Sequence, residues 1–284
     1  MPTTQDDMPA TMVRYETEDK VGIITLDRAD KLNAINSVMK DEIIAAFARA
    51  DKEPATSVIV LRANGRSFSA GFDLGHSPDR GKSSGAADPN TWDTMLHRSF
   101  DFGMAPWSTR KPVIASVQGH VLGGGCELTL MCDLTIAADD AKFGYVDVRF
   151  GSGVVSMFLP WVVGVRAAKE MLFTGEDRIP AEEALRIGLV NRVVPADELD
   201  AASLGLADEI AKNEPFVVQT TKRAVNRVWD VAGFRAAMAA NVELDVMIET
   251  ANLPTRDEFR RITNEQGLKK AIEWRDAKFR GAQG

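Results

Sequence analysis

The segment from Pro112 to Ala138 constrains the fold more than any other part of the chain. Its two ends, "PVIASVQ" and "LTIAA", are short apolar runs of the kind found in strands covered on both faces. Between them lies "GHVLGGGCELTLMC", three consecutive glycines leading into a short helical stretch. Strand, helix and strand alternate here at a pitch that suits crossover units of an α/β fold.

The flanking sequence extends the pattern. "MVRYETEDKVGIITLDR" reads as a hairpin whose second strand, 21–26, is the more buried. "SVMKDEIIAAFARADK" places Val38, Met39, Ile43, Ile44 and Phe47 at helical spacing with Ser37 as N-cap. "SVIVLRA" is a buried strand, and "SFSAGFDL" after it predicts a second glycine turn, with Ala70, Gly71 and Phe72 leading into a helix. Residues 75–89, "GHSPDRGKSSGAADP", have the composition of a mobile excursion, followed by a helix through "TWDTMLHRSFDFGMAPW". From about Ala181 the periodicity is almost wholly helical. The expected organisation is a flexible tail over 1–11, an α/β body over 12–200 and a helical region over 201–284.

Composition narrows the function. With 284 residues, 45% apolar and 26% charged, the chain can bury a sizeable core, and it has no apolar run near the ~18 residues that span a bilayer. A formal charge of −7 argues against nucleic acid as a partner. Cys126 and Cys132 are expected to be reduced, as in the cytoplasm, and the start of the chain lacks the basic and apolar regions of a secretory signal. His76, His97 and His120 fall in no metal-ligand spacing with the cysteines, so no metal is expected.

The chemistry concentrates at the two glycine turns. Glycine lets backbone N–H groups approach a ligand closely, and two such turns converging on one oxygen would make an oxyanion hole. Glu127 follows the triple glycine, and Asp147 closes the apolar "KFGYVDV". Two carboxyls beside exposed amides point to acid/base work. Ser67 and Ser69 lie outside any Gly-x-Ser-x-Gly elbow, which weakens a hydrolase reading.

Taken in order, "LDRADKLNAIN", "VIVLRANGRSFSAGFDL", "KPVIASVQGHVLGGGCELTLMCDLTIAADDAKFGYVDV", "GLVNRVV" and "AIEWRDAKF" resemble the crotonase, or enoyl-CoA hydratase/isomerase, superfamily over nearly the whole chain from Met12 to Phe279. The resemblance implies an α/β fold: a spiral of ββα turns followed by a C-terminal helical region that assembles trimers, often paired into hexamers. The apolar positions Phe234, Met238, Val242 and Val246 are the stripe expected to serve that assembly.

The resemblance further implies an acyl-CoA ligand, with coenzyme A entering as part of the substrate and no separate cofactor. The thioester oxygen would rest on the N–H groups of Phe72 and Gly124, and Glu127 and Asp147 would activate water and protonate C2. Arg28, Lys31, Asn33, Ala34 and Ala70 would line the nucleotide and pantetheine, with Lys278 and Phe279 reaching CoA from the last helix. Phe72, Tyr145, Val154, Val155, Met157, Phe158 and Trp161 would shape the acyl pocket.

The implied reaction is hydration of a 2-enoyl-CoA to a 3-hydroxyacyl-CoA. Δ3,Δ2-enoyl-CoA isomerisation is the alternative, with hydrolysis or decarboxylation behind it; acidity and Glu127 disfavour a non-catalytic, RNA-interacting relative. Two departures bear on that choice. Asp147 is one methylene shorter than the family's glutamate, a withdrawal of ~1.5 Å. "GSGVVSMF" replaces the usual Pro-Gly-x-Gly-Gly segment, putting Val154 and Val155 where small residues would leave room for water.

Overall fold

The computed structural model describes residues 11–75, 88–153 and 157–280. All but the last residue of the expected tail, most of the 75–89 excursion, and Val154 and Val155 lie outside the described residues.

The hairpin forms as its alternation predicts, with β1 (Val13–Glu18) antiparallel to β2 (Val21–Leu26). Helix α1 (Ser37–Lys52) follows, but its N-cap is Asn36, whose side chain accepts the Met39 N–H; Ser37 is the first helical residue. Strands β3 (Val58–Ala63), β4 (Val113–Val117), β6 (Leu134–Ala138) and β9 (Arg192–Val194) extend the sheet in the order β1-β2-β3-β4-β6-β9, all parallel after the first pair. Strand β9 interrupts the region read as helical; its three residues are too few to show a period of their own.

Both faces of this sheet are covered, which is why its strands lack polar alternation. Ile59 and Leu61 face the main core, while Val58 and Val60 face a second one with Leu199, Ala207 and Ala211. Those last three belong to α6 (Leu199–Ala211). A division at residue 200 therefore falls in the first turn of a helix that packs on the sheet.

The second wall of the spiral is a small sheet of β5 (His120–Leu122), β7 (Lys142–Gly144) and β8 (Ile179–Pro180). Isolated bridges continue it, Ser69 beside Val121 and Phe72 beside Ile35. Phe72 is thus extended, and no helix begins between it and Gly75, contrary to the helix start expected there; α2 (Pro89–Ser108), capped by Asp88, is the helix expected after the excursion. Helix α3 (Gly124–Leu130) links the walls, and α4 (Leu159–Thr174) and α5 (Ala181–Arg186) complete the body.

Among the described residues four more helices follow α6: α7 (Pro215–Val231), α8 (Phe234–Thr250), α9 (Pro254–Gln266) and α10 (Leu268–Arg280). Helix α8 lies on α2, and α9 with α10 folds back on the turn at 147–150. The stripe expected for assembly is largely spent inside the chain: Phe234, Met238 and Val242 are buried, and Val246 packs beside Trp92 and Leu96. Many of the exposed large apolar side chains lie instead on α7, at Phe216, Val217, Val225, Val228 and Val231, and on α8 at Leu244, Met247 and Ile248. Among the described residues no helix is long and apolar enough to cross a membrane.

Candidate active site

The first glycine turn is held by Asn33. Its side chain is fully buried; Nδ2 donates to the carbonyls of Asn64 and Ser67, both at 2.9 Å, and Oδ1 accepts the Arg28 N–H at 2.8 Å. Leu32 and Asn33 both have φ of 51°, a conformation asparagine tolerates better than most residues. Ser69 Oγ donates to the Asn33 carbonyl at 2.8 Å and accepts the Gly71 N–H at 3.1 Å, locking the turn onto that clamp.

Gly71 (φ 89°) and Gly123 (φ 47°) occupy left-handed backbone that other residues rarely adopt. They also touch: a Cβ on Gly71 would lie 2.9 Å from the Leu122 carbonyl oxygen and 3.6 Å from Gly123 Cα. The two turns predicted to converge are therefore in contact. Ile35 N–H donates to Gly71 O and Asp73 N–H to Ile35 O, so the Phe72 N–H between them points away from that pairing. Gly124 is the first residue of α3, where helical geometry leaves the N–H without an intrahelical acceptor. Among the described residues neither N–H donates to a backbone carbonyl.

The acids flank this junction. The Asp147 carboxylate lies 3.8 Å from where a Gly123 Cβ would be, on a single helical turn covering Asp147–Phe150. Glu127 is one turn into α3, its N–H bonded to Gly123 O at 2.9 Å and its side chain 1% exposed. Tyr145 is buried near both: burial pushes its phenol well above the ordinary range, and Cys126, Glu127 and Asp147 add to the shift. Burial likewise pushes Cys126 up to about 12, leaving an inert thiol.

Beside Asp147 opens a cavity whose apolar wall comes from Ile35, Phe72, Leu74, Trp92, Met95 and Leu96. Lys40 stands at its edge, with Nζ 2.6 Å from Ser99 Oγ and 4.6 Å from the Phe72 ring centroid. Of the residues read as acyl pocket, Phe72 lines this cavity. Phe158 and Trp161 join Trp107, Trp229 and Phe234 in an aromatic cluster, Tyr145 is core, and Met157 packs against that core. The helical spacing of Trp92, Met95, Leu96 and Ser99 was present in the sequence, but the face it would meet was not.

The segment read as CoA-lining turns out to brace the site. Arg28 Nη1 donates to Asp73 Oδ2 and to the Ala34 carbonyl, both at 2.7 Å, and the Ala70 N–H donates to Leu32 O at 2.9 Å. With Asn33 committed as well, Lys31 is the member of the set with an exposed side chain. At the other end, Phe279 lies under the Arg149 guanidinium at 4.4 Å and Lys278 Nζ lies 4.1 Å from the Trp274 ring centroid, placing α10 against the Asp147–Phe150 turn of its own chain. Among the described residues no cluster of His, Cys, Asp and Glu is placed to hold a metal.

An α/β spiral in which two glycine turns present backbone amides beside a pair of acids defines a class of enzyme that polarises a carbonyl and moves protons next to it. The family description "Enoyl-CoA hydratase/isomerase" matches residues 16–282. The crystal structure of an enoyl-CoA hydratase/isomerase from Xanthobacter autotrophicus Py2 superposes with a TM-score of 0.90 at 41% identity, covering 94% of this chain and 98% of that one. An enoyl-CoA hydratase from Mycobacterium smegmatis superposes with a TM-score of 0.86 at 28% identity, over 98% and 96% of the two chains. The short-chain-enoyl-CoA hydratase of Clostridium acetobutylicum is 34% identical over 226 residues, 78% of this chain and 83% of its own length. The chain belongs to the enoyl-CoA hydratase/isomerase family.

Proposed function

We propose that the protein is a hydro-lyase that adds water across the double bond of a 2-enoyl-CoA to give a 3-hydroxyacyl-CoA. The observation that carries this reading is the contact of the Gly71 and Gly123 turns with the Asp147 carboxylate beside them. In the reaction Glu127 takes a proton from water as its oxygen bonds to C3. The electrons released from the double bond collect on the thioester oxygen, which rests on the Phe72 and Gly124 amides. Asp147 then delivers a proton to C2 as the carbonyl re-forms, so that H and OH are both accounted for. Each amide directed at that oxygen contributes roughly 2.7–4 kcal/mol to the transition state.

The short reach of Asp147 favours a second reading, Δ3,Δ2-enoyl-CoA isomerisation, in which one carboxyl carries one proton between C2 and C4. Absorbance decides between the two: loss on incubation with a 2-enoyl-CoA supports hydration, and gain with a 3-enoyl-CoA and no loss with the former overturns it.

Coenzyme A enters as part of the substrate, and the exposed Lys31 is assigned to its phosphates, with the exposed face of α10 near Lys278 a further contact. The exposed apolar residues of α7 and α8 support assembly into trimers or hexamers. Cys126 and Cys132 are both free thiols, which suits a reducing, cytoplasmic setting.

A further inference from the structure

The turn that carries Asp147 is fastened to a helix far along the chain. Gly151 closes the Asp147–Phe150 turn in left-handed backbone, with φ of 79°, and the Ser152 N–H after it returns to the Asp147 carbonyl at 3.0 Å. Beyond the turn the chain lies directly on α8: a Cβ on Gly153 would fall 1.7 Å from Asp245 Oδ1 and 3.2 Å from Ile248 Cδ1. Asp245 itself is 2% exposed. Glu249, in the last turn of α8 and 6% exposed, binds both residues that follow Gly151. Its Oε1 accepts from Ser152 Oγ and, at 3.1 Å, from the Gly153 N–H.

Arg256 of α9 ties off the other side of the turn. Nε donates to Gly151 O at 2.9 Å and Nη2 to the same oxygen, while Nη1 donates to Glu249 O at 2.7 Å and Nη2 to Ile248 O at 2.8 Å. Its ion pair with the Glu249 carboxylate is the looser contact, with Nη2 3.6 Å from Oε2. A glutamate present only to neutralise that guanidinium would meet it in the short, two-oxygen geometry such pairs favour. Here Oε1 is given to the turn instead. Helix α8 also backs the apolar wall of the cavity, since Val242 and Val246 pack with Trp92, Met95 and Leu96 of α2. One helix therefore supports both that wall and the segment behind Asp147.

We propose that Glu249 is a positioning residue for Asp147: by binding Ser152 and Gly153 it fixes the Asp147 turn to α8, and so fixes the acid relative to the cavity wall that α8 also supports. Hydrogen bonds to an ionised carboxylate are shorter and stronger than neutral ones, which suits a strut. Asp147 has the shorter of the two acidic side chains and little reach to make up for a displaced backbone. A misplacement of about 1 Å costs about 10²-fold in rate. This deepens the hydration reading and rests on it for the role of Asp147.

The test compares Glu249→Ala with Glu249→Gln in hydration of a short 2-enoyl-CoA. Alanine leaves Ser152 and Gly153 without their acceptor, so kcat should fall by at least about 10-fold with KM within about 3-fold of wild type. Glutamine keeps an acceptor oxygen and should hold kcat within about 3-fold. In an Asp147→Asn background the alanine change should cost less than about 3-fold, because the acid it positions is already gone. The same fold-loss in both backgrounds, an equal loss for glutamine and alanine, or a rise in KM at unchanged kcat overturns the proposal. Crystal structures of the two variants give a readout free of turnover: the Asp147 carboxyl should shift by about 1 Å in alanine and keep its place in glutamine. An unmoved Asp147 in the alanine variant removes the positioning role. A wild type that hydrates no 2-enoyl-CoA removes the functional reading and leaves that structural comparison standing. Where Glu249→Ala does not fold, Ser152→Ala removes one bond from the side of the turn; kcat should then fall by at least about 3-fold at unchanged KM, and wild-type kcat overturns the proposal.

Discussion

Gly124 lies against the ring of Phe72, so that a Cβ at position 124 would come within 2.6 Å of two ring carbons. The two residues whose amides are proposed to hold the thioester oxygen thus set each other's position by direct contact. Gly125 repeats the relationship one residue on, where a Cβ would meet Ser69 Cβ at 2.6 Å. The triple glycine allows the start of α3 to close on the Ser69–Phe72 turn, and only Gly123 among the three has positive φ.

Gly124→Ala should therefore act on turnover. The added methyl must push the ring and the helix start apart, and a shift of about 1 Å in a catalytic donor costs about 10²-fold. Steady-state kinetics should show that fall in kcat with CoA affinity nearly intact. An alanine variant with wild-type kcat would remove Gly124 from the oxyanion hole.

Asn33→Ala tests the clamp beneath the site. It strands two carbonyls and one amide in the interior, at about 1–3 kcal/mol for each group left unsatisfied and partly relieved by water, so the expected loss is about 2–4 kcal/mol in urea unfolding. Asn33→Gly tolerates the left-handed backbone better, and the difference between the two variants isolates the conformational strain. A loss below about 0.5 kcal/mol for alanine would mean the three hydrogen bonds are replaced by solvent.

The parts of this site built from neighbours in sequence were legible, and those built from distant segments were not. Gly123 and Gly124 announce themselves in a run of three glycines ahead of an apolar helix, and Gly71 as a lone glycine turn after a buried strand. The sheet strands likewise show as apolar runs bounded by turns. That Asn33 clamps the glycine turn was not legible, because its partners, Asn64 and Ser67, lie more than thirty positions away and a buried asparagine reads like an exposed one. Glu249 and Asp245 reach the 151–153 segment across roughly ninety residues or more, in a helix whose sequence looks amphipathic and ordinary. The apolar stripe of α8 was legible as a stripe; that α2 of the same chain covers it was a fact of topology.

The two acids can be separated. Glu127→Gln and Asp147→Asn should each lower hydration by about 10²–10⁴, the usual worth of a positioned acid or base, while leaving CoA binding by calorimetry nearly unchanged. Asp147→Glu restores the family's longer side chain, and it should raise hydration if the shorter acid limits reach. A fall instead would show a pocket built around aspartate. Full activity in Asp147→Asn on every active substrate would make it a turn residue.

Lys31→Glu addresses the nucleotide. Its side chain is exposed on the turn at 29–31, outside the Arg28–Asp73 and Asn33 bonds, so the charge reversal should leave the fold unchanged. The dissociation constant for acetyl-CoA should rise by about 10-fold at low salt and by less at high salt, as screening weakens an exposed contact. Salt-independent affinity equal to wild type would place the phosphates elsewhere.

The last prediction concerns the stability cost of Asp245. Burial, then Glu249 and Asp147, push its carboxyl up to about 7 in the folded protein, against ~3.9 in an unfolded chain. The native state therefore binds this proton more tightly than the unfolded state does. Below pH ~4 both states are protonated and the group contributes nothing; between ~4 and about 7 the unfolded state alone ionises, and stability falls as pH rises. Above that window the penalty is complete and, for some three pH units, of the order of 4 kcal/mol. Asp245→Asn removes it, so urea unfolding should find the variant close to wild type near pH 4 and more stable by a few kcal/mol at pH 8. Equal stability of the two proteins at pH 8 would mean that Asp245 finds a partner on ionising.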